Sequence, residues 1–211
     1  MADYSKPDHF SLKAQKDGYP ARSVYKLMEL DEKFGLLRPG RIPFRALDLG
    51  AAPGSWSLYI MRKLIQRKGA TSAGPLLVSA DLAPLSRACD QGLFEKPGFV
   101  FIQGDFTQSA IREGILSQGP YTLIASDAAP ATSGNRSLDS LRSLGLAEAA
   151  LDYAETALAR GGNFVVKIFQ GGDTGTLLKT MRGLFETAKS FKPRACRAES
   201  FETYYLGMGK K

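Results

Sequence analysis

The sequence has few of the residues on which metal-dependent and histidine-dependent catalysis rely. Its 211 residues include one histidine, His9, and two cysteines, Cys89 and Cys196. A single histidine excludes a HExxH zinc motif, and two cysteines without CxxC spacing cannot form a zinc site alone. A Ser-His-Asp triad is also disfavoured, because His9 lies in a polar leader. We therefore expect no metal, and a catalytic site built from lysine, carboxylate and hydroxyl groups.

Long apolar runs are also absent from the sequence. No segment approaches the roughly 20 consecutive apolar residues that a membrane helix needs. The first eight residues contain no apolar stretch of the kind found in secretory signals. A hydrophobic content of 44% and a charged content of 23% are ordinary for a globular fold. We expect a single cytoplasmic domain over residues 1–211 that is a monomer and has no membrane partner.

The net charge of +7 is unevenly distributed along the chain. Residues 1–45 carry nine Lys/Arg against six Asp/Glu, and residues 179–211 carry eight against three. The middle, residues 46–178, is nearly neutral, with eleven against twelve. If the two ends meet in space, they form a positive face suited to phosphates or another polyanion. A generally basic surface would explain the composition equally well.

Apolar periodicity predicts strands that alternate with helices. The predicted helices cover Ser23–Phe34, capped by Ser23 and stopped by Gly35, then Trp56–Lys68, Leu138–Arg160, closed by Gly161 and Gly162, and Thr174–Lys189. The predicted strands cover Phe44–Leu49, Pro75–Ala80, Phe99–Gln103, Tyr121–Ser126 and Asn163–Phe169, followed by two terminal strands of which the last is Glu202–Met208. This alternation is typical of an α/β Rossmann-like fold with a mostly parallel, doubly wound sheet.

A glycine turn follows the first predicted strand and reads Asp-Leu-Gly-Ala-Ala-Pro-Gly-Ser-Trp from Asp48 to Trp56. Gly50 and Gly54 would let the backbone approach a ligand closely, since glycine has no Cβ. The turn is neither GxGxxG nor a P-loop, because Ala52 replaces the second glycine and no GK[ST] follows. This argues against the pyrophosphate cradle of NAD, FAD or ATP.

Three acidic residues fall at the ends of predicted strands: Asp81, Asp105 and Asp127. Ligands of doubly wound sheets bind beyond those ends. Asp81 is placed to accept from two ribose hydroxyls and Asp105 from an adenine amine, while clustered carboxylates suit a sulfonium and an ammonium. Together these features describe S-adenosylmethionine. The alternative is that the glycines are structural and the acids only cap helices.

Lys167 interrupts an otherwise apolar strand, Phe164–Phe169. Lysine is seldom buried without a partner, because desolvating an ammonium costs several kcal/mol. Either its amine reaches solvent at the strand end, or it is paired in a cleft. Asp127, at the end of the adjacent predicted strand, is the obvious partner. A buried pair at this edge of the sheet is a candidate functional site.

Six motifs together resemble the FtsJ/RrmJ family of RNA 2′-O-methyltransferases, over roughly residues 22 to 211. The motifs are Arg22–Leu27, Asp48–Ser57, Gln103–Phe106, Ser126–Pro130, Phe164–Gly171 and Ser200–Tyr204. Two positions depart from the family pattern: Ala128 stands where a methionine is frequent, and Ser55 where a glycine is frequent. The resemblance implies a Rossmann-like S-adenosylmethionine-dependent methyltransferase fold with an antiparallel C-terminal strand.

The resemblance also implies a catalytic set, Lys26, Asp127, Lys167 and Glu202, with Glu199 as a competing fourth member. The cofactor contacts that it implies are Gly54, Trp56, Asp81, Asp105 and Asp127, beside Gly50 from the turn. From the sequence alone, Lys26 also fits a solvated helix stripe with Glu29 and Lys33, and Glu202 an ordinary charge on an edge strand.

The activity implied by the resemblance is methyl transfer from S-adenosylmethionine to a ribose 2′-hydroxyl of RNA. The expected substrate is a uridine of large-subunit (23S) ribosomal RNA, with residues 1–40 contributing to the RNA-binding face. Members of the same family modify tRNA or mRNA caps, so those substrates remain open. A non-catalytic RNA-binding assembly factor and a small-molecule methyltransferase are further alternatives. Lys167 would act either as the general base or as the group that orients the hydroxyl.

Overall fold

The computed structural model describes residues 8–38, 44–66, 76–171, 174–197 and 199–211. Within these ranges the strands are β1 (Arg45–Leu49), β2 (Leu76–Asp81), β3 (Phe99–Gln103), β4 (Tyr121–Ser126), β5 (Leu158–Phe169), β6 (Phe185–Phe191) and β7 (Glu202–Lys210). The α-helices are α1 (His9–Lys16), α2 (Val24–Phe34), α3 (Ser55–Ile65), α4 (Ser109–Leu116), α5 (Arg136–Ala157) and α6 (Thr174–Leu184). A 3₁₀ turn covers Leu93–Glu95. Some predicted positions lie outside the described ranges. They are the end of the predicted helix at Lys68, the start of the predicted strand at Pro75, and residues 1–7 and 39–40 of the N-terminal region.

The described strands form one sheet in the order β3-β2-β1-β4-β5-β7-β6. The neighbours from β3 to β5 are parallel, while β7 runs antiparallel to both β5 and β6. The predicted Rossmann-like α/β fold with an antiparallel C-terminal strand is therefore confirmed. Because strand side chains alternate between faces, the sheet has an apolar core on each side. The α2 and α3 side chains pack on one face, and those of α5 and α6 on the other.

Two predicted helices end earlier than their periodicity indicates. Helix α6 ends at Leu184 rather than Lys189, since residues 185–191 pair with β7 as strand β6. Phe185 is buried and its ring stacks on that of Phe164, with centroids 6.1 Å apart. Helix α5 ends at Ala157, and β5 already begins at Leu158, with a register shift that accommodates the residues around Gly161. Tertiary strand pairing thus overrides local helix propensity at both ends.

The leader contains helix α1, which the sequence analysis did not predict. The Asp8 side chain caps α1 by accepting the backbone N–H of Ser11 at 2.9 Å. The side chain of Ser23 does not cap α2; instead its backbone carbonyl accepts the indole N–H of Trp56 at 2.9 Å. Gly35 ends α2 in the left-handed conformation, as predicted. The Trp56 contact ties the start of α2 to the start of α3.

Asp48 lies in the core at the end of β1, fully buried beneath the glycine turn. Its Oδ2 accepts a hydrogen bond of 2.6 Å from the Ser57 hydroxyl, which is 2.9 Å from the Ser79 hydroxyl. Its Oδ1 has no hydrogen-bond partner among the described residues. Burial, reinforced by the negative charges of Asp127 and Asp81, raises the pKa of Asp48 to about 7. The folded protein therefore holds a proton on Asp48 at pH values where the unfolded chain has lost it.

This raised pKa predicts a pH-dependent loss of stability that Asp48→Asn removes. The unfolded carboxyl ionises near pH 4, so folding of the parent protein becomes less favourable as the pH rises from about 4 through 7. The loss amounts to at most on the order of 4 kcal/mol. We expect the free energy of unfolding, measured in urea, to fall between pH 5 and pH 8 more in the parent than in Asp48→Asn. Equal pH dependence in the two proteins would contradict this assignment.

Candidate active site

A cavity of about 650 Å³ opens at the carboxyl ends of the parallel strands. Its polar lining includes Asp81, Asp105 and Asp127, at or just after the ends of β2, β3 and β4, together with Thr107 and with Arg142 of α5. The first turn contributes Gly50 and Ala52. This is the edge at which ligands of doubly wound sheets bind. The three strand-end carboxylates that the sequence analysis selected thus face one cavity.

Backbone conformation requires glycine at both ends of the first turn. Gly50 has φ +72°, and a Cβ there would lie 2.5 Å from the Cα of Ala128 in the loop after β4. Gly54 has φ +107°, with the ring of Phe94 3.1 Å from the position of a Cβ. Side chains rarely adopt such φ values, so substitution is strained at either position. The turn is therefore held tightly against its neighbours.

The carboxylates of Asp81 and Asp105 are held in place by backbone groups. Asp81 accepts the N–H of Ala52 through Oδ2 and that of Ala83 through Oδ1, both at 2.8 Å. Asp105 accepts the backbone N–H and the hydroxyl of Thr107 at 2.9 and 2.7 Å. These hydrogen bonds fix the orientation of both carboxylates at the cavity wall.

Two of the residues selected for cofactor contact lie behind the cavity. Trp56 is buried in the core, where its indole contacts Ser23 and its ring packs against Tyr204 with centroids 5.9 Å apart. Gly54 caps the start of α3. Neither residue is among the described residues that line the cavity. Gly50, Asp81, Asp105 and Asp127 do line it.

Lys167 and Asp127 form a buried ion pair at the carboxyl ends of β5 and β4. Lys167 Nζ lies 3.1 Å from Asp127 Oδ1 and donates a 2.5 Å hydrogen bond to the Asp127 backbone carbonyl. The Lys167 side chain is 8% exposed and that of Asp127 15%. The structure therefore pairs the lysine within the site rather than directing it to bulk solvent.

A second buried pair joins distant parts of the chain. Lys26 Nζ of α2 donates to Glu202 Oε2 of β7 at 2.7 Å, and each side chain is 11% exposed. The solvated-stripe interpretation of Lys26 is therefore wrong. The edge-strand interpretation of Glu202 is also wrong, because β7 lies between β5 and β6. Glu199 is exposed and outside this pair.

Opposite charges in the site outweigh the effect of burial on the pKa values of Lys26 and Asp127. Burial lowers the pKa of Lys26, but the carboxylates of Asp127 and Glu202 outweigh it and raise that pKa above its ordinary value. Burial also raises the pKa of Asp127, but the ammonium groups of Lys167 and Lys26 outweigh it and lower that pKa. The four groups thus form one electrostatic cluster of balanced charge.

Tyr204 belongs to this cluster, although the sequence analysis gave it no role. It is fully buried, and its hydroxyl donates to Asp127 Oδ1 at 2.6 Å. It pairs across the sheet with Lys167 and lies two residues after Glu202, on the same face of β7. That spacing, within the motif that ends the chain, was the signal available in the sequence.

A Rossmann-like sheet with a carboxylate-lined cavity beside a buried Lys-Asp-Lys-Glu cluster defines the class of this protein as a methyltransferase. The chain belongs to the FtsJ-like methyltransferase family, whose model matches residues 19–210. The family expected from the sequence motifs is therefore confirmed.

Relatives from several bacteria are similar over nearly the whole chain. A ribosomal RNA large subunit methyltransferase E of Treponema denticola is 47% identical over 208 residues, which cover 99% of this chain and 97% of that protein. The protein of the same name from Oleidesulfovibrio alaskensis is 45% identical over 206 residues, covering 97% and 92%. The crystal structure of a Plasmodium falciparum protein described as a ribosomal RNA methyltransferase matches with a TM-score of 0.72 at 26% identity, covering 91% of this chain and 98% of that one.

None of the helices in the described part of the chain has the length and apolar character needed to cross a membrane. No group of three or more His, Cys, Asp or Glu side chains there is arranged to hold a metal ion.

The hydrogen bond from Tyr204 predicts a stability loss in Tyr204→Phe. Removing a donor to a buried carboxylate costs about 1.5–3 kcal/mol. We expect the free energy of unfolding in urea to fall by that amount. Tyr205→Phe is the matched control, because Tyr205 is the next residue on β7 and is largely buried, but its hydroxyl makes no hydrogen bond to the described residues. Equal losses in the two variants would show that the bond to Asp127 contributes nothing.

Proposed function

We propose that this protein transfers a methyl group from S-adenosylmethionine to a ribose 2′-hydroxyl of RNA, most specifically a uridine of large-subunit (23S) ribosomal RNA. The observation that carries the proposal is the convergence of Lys26, Asp127, Lys167 and Glu202 beside the carboxylate-lined cavity. The bacterial relatives, which are named as ribosomal RNA large subunit methyltransferases, support the choice of substrate.

The residues around the cavity fit the proposed methyl donor. A cavity of about 650 Å³ lies in the range of small-molecule sites. Its carboxylates suit a ligand that carries a positive sulfur, an ammonium and ribose hydroxyls but no phosphate. Asp81 would hold the ribose hydroxyls, Asp105 the adenine amine, and Gly50 would admit the backbone to the ligand. When bound, the donor supplies an electrophilic methyl group on a sulfonium.

Lys167 is the group proposed to hold the acceptor hydroxyl. Its Nζ has three hydrogen-bonding positions, of which Asp127 Oδ1 and the Asp127 carbonyl take two. The third is left for the 2′-oxygen. Fixing that oxygen in line with the methyl group lowers the barrier through alignment, by about 7–11 kcal/mol in well-oriented systems.

The remaining charged groups stabilise this arrangement. Asp127 fixes the Lys167 amine, and Tyr204 fixes Asp127. Lys26 keeps its charge because its pKa is raised, so it stabilises negative charge that develops on the attacking oxygen. Glu202 holds the Lys26 amine in place. The hydroxyl proton would leave to water as the oxygen bonds to the methyl group, and the methyl–sulfur bond of the donor would break to leave a neutral thioether.

The contacts of Lys167 fit both roles considered for it. Both contacts are with acceptor oxygens, which a protonated amine satisfies while keeping one N–H for the 2′-oxygen. A neutral amine would satisfy them with its two N–H groups and would direct its lone pair at the 2′-hydroxyl as a base.

The two roles of Lys167 predict opposite pH–rate profiles. With an orienting ammonium, kcat should stay level from pH 7 to pH 9 and fall at higher pH, as ammonium groups are lost. With a general base, kcat should rise steadily with pH until the amine is neutral. The measurement is single-turnover methyl transfer across this pH range. A tenfold rise per pH unit would contradict the orienting role.

Loss of the Lys167 amine predicts loss of methyl transfer. Incubation with S-adenosylmethionine labelled in the methyl group should place label on a ribose 2′-oxygen. Lys167→Ala should lower kcat by about 10²–10⁴-fold, the range typical of positioned catalytic groups. Lys179→Ala, which removes an exposed lysine of α6, is the control and should leave the rate unchanged.

The same assay separates the candidate substrates and the non-catalytic alternative. We expect label on large-subunit ribosomal RNA, offered free and as ribosomal particles, and not on tRNA or capped mRNA. Label confined to either of the last two would replace the substrate but keep the reaction. Tight RNA binding without any label would instead indicate an assembly factor.

RNA is proposed as the substrate because the acceptor hydroxyl exists there and not in DNA. The Lys26–Glu202 pair joins the basic N-terminal and C-terminal parts of the chain at the site. Helices α1 and α2 would therefore border the RNA. We further propose a cytoplasmic monomer, since large exposed apolar residues in the described chain are few and scattered, among them Leu12 and Leu82.

A further inference from the structure

A second cavity, of about 350 Å³, opens beside the Lys26–Glu202 pair. We refer to it as the acceptor pocket. Besides that pair, its lining includes two guanidinium groups, Arg22 and Arg197, and two aromatic rings, Phe169 and Phe201, with centroids 4.7 Å apart. Cationic groups and aromatic faces are the two features that proteins use to hold single-stranded nucleotides.

The two arginines of the acceptor pocket share one carboxylate. Arg22 Nη1 forms an ion pair with Oδ2 of Asp8, and Arg197 Nε lies 3.6 Å from the same oxygen. The other oxygen of Asp8 is occupied differently, because Oδ1 caps helix α1 through Ser11. One oxygen therefore serves the helix and the other serves the arginine pair.

An anion shared by the two arginines stabilises their positive charges. Burial and the positive charge of Arg197 both lower the pKa of Arg22. Like charges this close repel each other, and a shared anion offsets the repulsion. Arg22 is also anchored from the other side, since its Nη2 donates to the Ala195 carbonyl at 2.5 Å. Its guanidinium is thus held in position independently of Asp8.

We propose that Arg22 and Arg197 form the subsite for the RNA phosphate next to the acceptor ribose, and that Asp8 fills this subsite when RNA is absent. This inference rests on the proposed function, because it assumes an RNA acceptor. Guanidinium groups bind phosphate and carboxylate oxygens through the same charge-assisted hydrogen bonds. The Asp8 carboxylate therefore takes the place of a phosphodiester.

The position of the pair relative to the reacting groups supports this assignment. In RNA the 3′-phosphate is attached to the ribose carbon beside the one that carries the 2′-hydroxyl, so the two must bind close together. Arg22 lies about one helical turn before Lys26, which borders both the pocket and the cluster of charged groups. Arg197 lies in the segment that leads into β7 and Glu202.

The consequence is a competition between Asp8 and RNA. Asp8 is 34% exposed in its side chain, so it can leave the arginines without breaking the core. Binding of RNA must displace it, which lowers the affinity. Glu199 also lines the pocket and is exposed. Its carboxylate repels a phosphate, so the positive charges of both arginines are needed to bind one there.

The experiment measures RNA affinity in Asp8→Asn as a function of salt. Asparagine caps helices as well as aspartate, so α1 keeps its cap while the charge is lost. Asp152→Asn is the matched control, because Asp152 also pairs with an arginine, Arg112, at 2.7 Å. The probe is a fluorescein-labelled single-stranded RNA, followed by fluorescence anisotropy without the methyl donor.

We expect Asp8→Asn to bind this RNA about 3–10-fold more tightly than Asp152→Asn and to steepen the plot of log affinity against log salt by about 0.7, the increment for one extra contact to a single-stranded phosphate. Arg197→Gln should weaken binding and flatten the slope by about the same amount. Combining Arg197→Gln with Asp8→Asn should remove most of the gain.

The inference is overturned if Asp8→Asn binds no more tightly than Asp152→Asn, or if Arg197→Gln keeps the parental slope. Thermal unfolding of each variant shows whether the protein remains folded. Because the readout is binding, its outcome is separate from that of the methylation assay. The parent protein could transfer methyl groups while Asp8→Asn binds RNA no differently. That result would support the proposed function and overturn only the phosphate subsite.

Discussion

The balance of four buried charges is the constraint on which the rest of this structure depends. An unpaired ammonium or carboxylate in this position would cost several kcal/mol, so each must keep its partner within hydrogen-bond distance. Lys167 meets this need through Asp127, and Lys26 through Glu202. The pairing requires α2, the end of β4, β5 and β7 to meet at one point. The order of the strands and the docking of α2 on the sheet therefore bring the oppositely charged side chains into contact.

The parallel half of the fold was predictable because its signals are local. Strands β1 to β4 are short apolar runs that end at turn residues or acids, and Gly35 marks the end of α2. The C-terminal part was predicted less well. Residues 185–191 continue a helical pattern, but pairing with β7 makes them a strand. That pairing joins segments that local periodicity does not relate.

The site shows the same division between local and long-range information. Lys167 was identifiable because a lysine in an apolar strand needs an explanation. Lys26 was identified only through the family resemblance, since its own spacing with Glu29 and Lys33 matches an exposed stripe. Only the docking of α2, through contacts such as the one between Trp56 and Ser23, buries it. The hydrogen bond from Tyr204 to Asp127 and the contact of Asp8 with two arginines are likewise visible only in the folded structure.

The position of β7 between β5 and β6 has a consequence for biosynthesis. The strand that supplies Glu202 and Tyr204 is inserted between β5 and β6, and the partner of Glu202 lies 176 residues earlier. Strands β1 to β5 can associate while the ribosome is still translating. The counter-charge of Lys26 and the sheet neighbour of Lys167 both come from β7, which is translated after these two lysines. The cluster of four charged groups is therefore completed only after residues 202–210 have been translated.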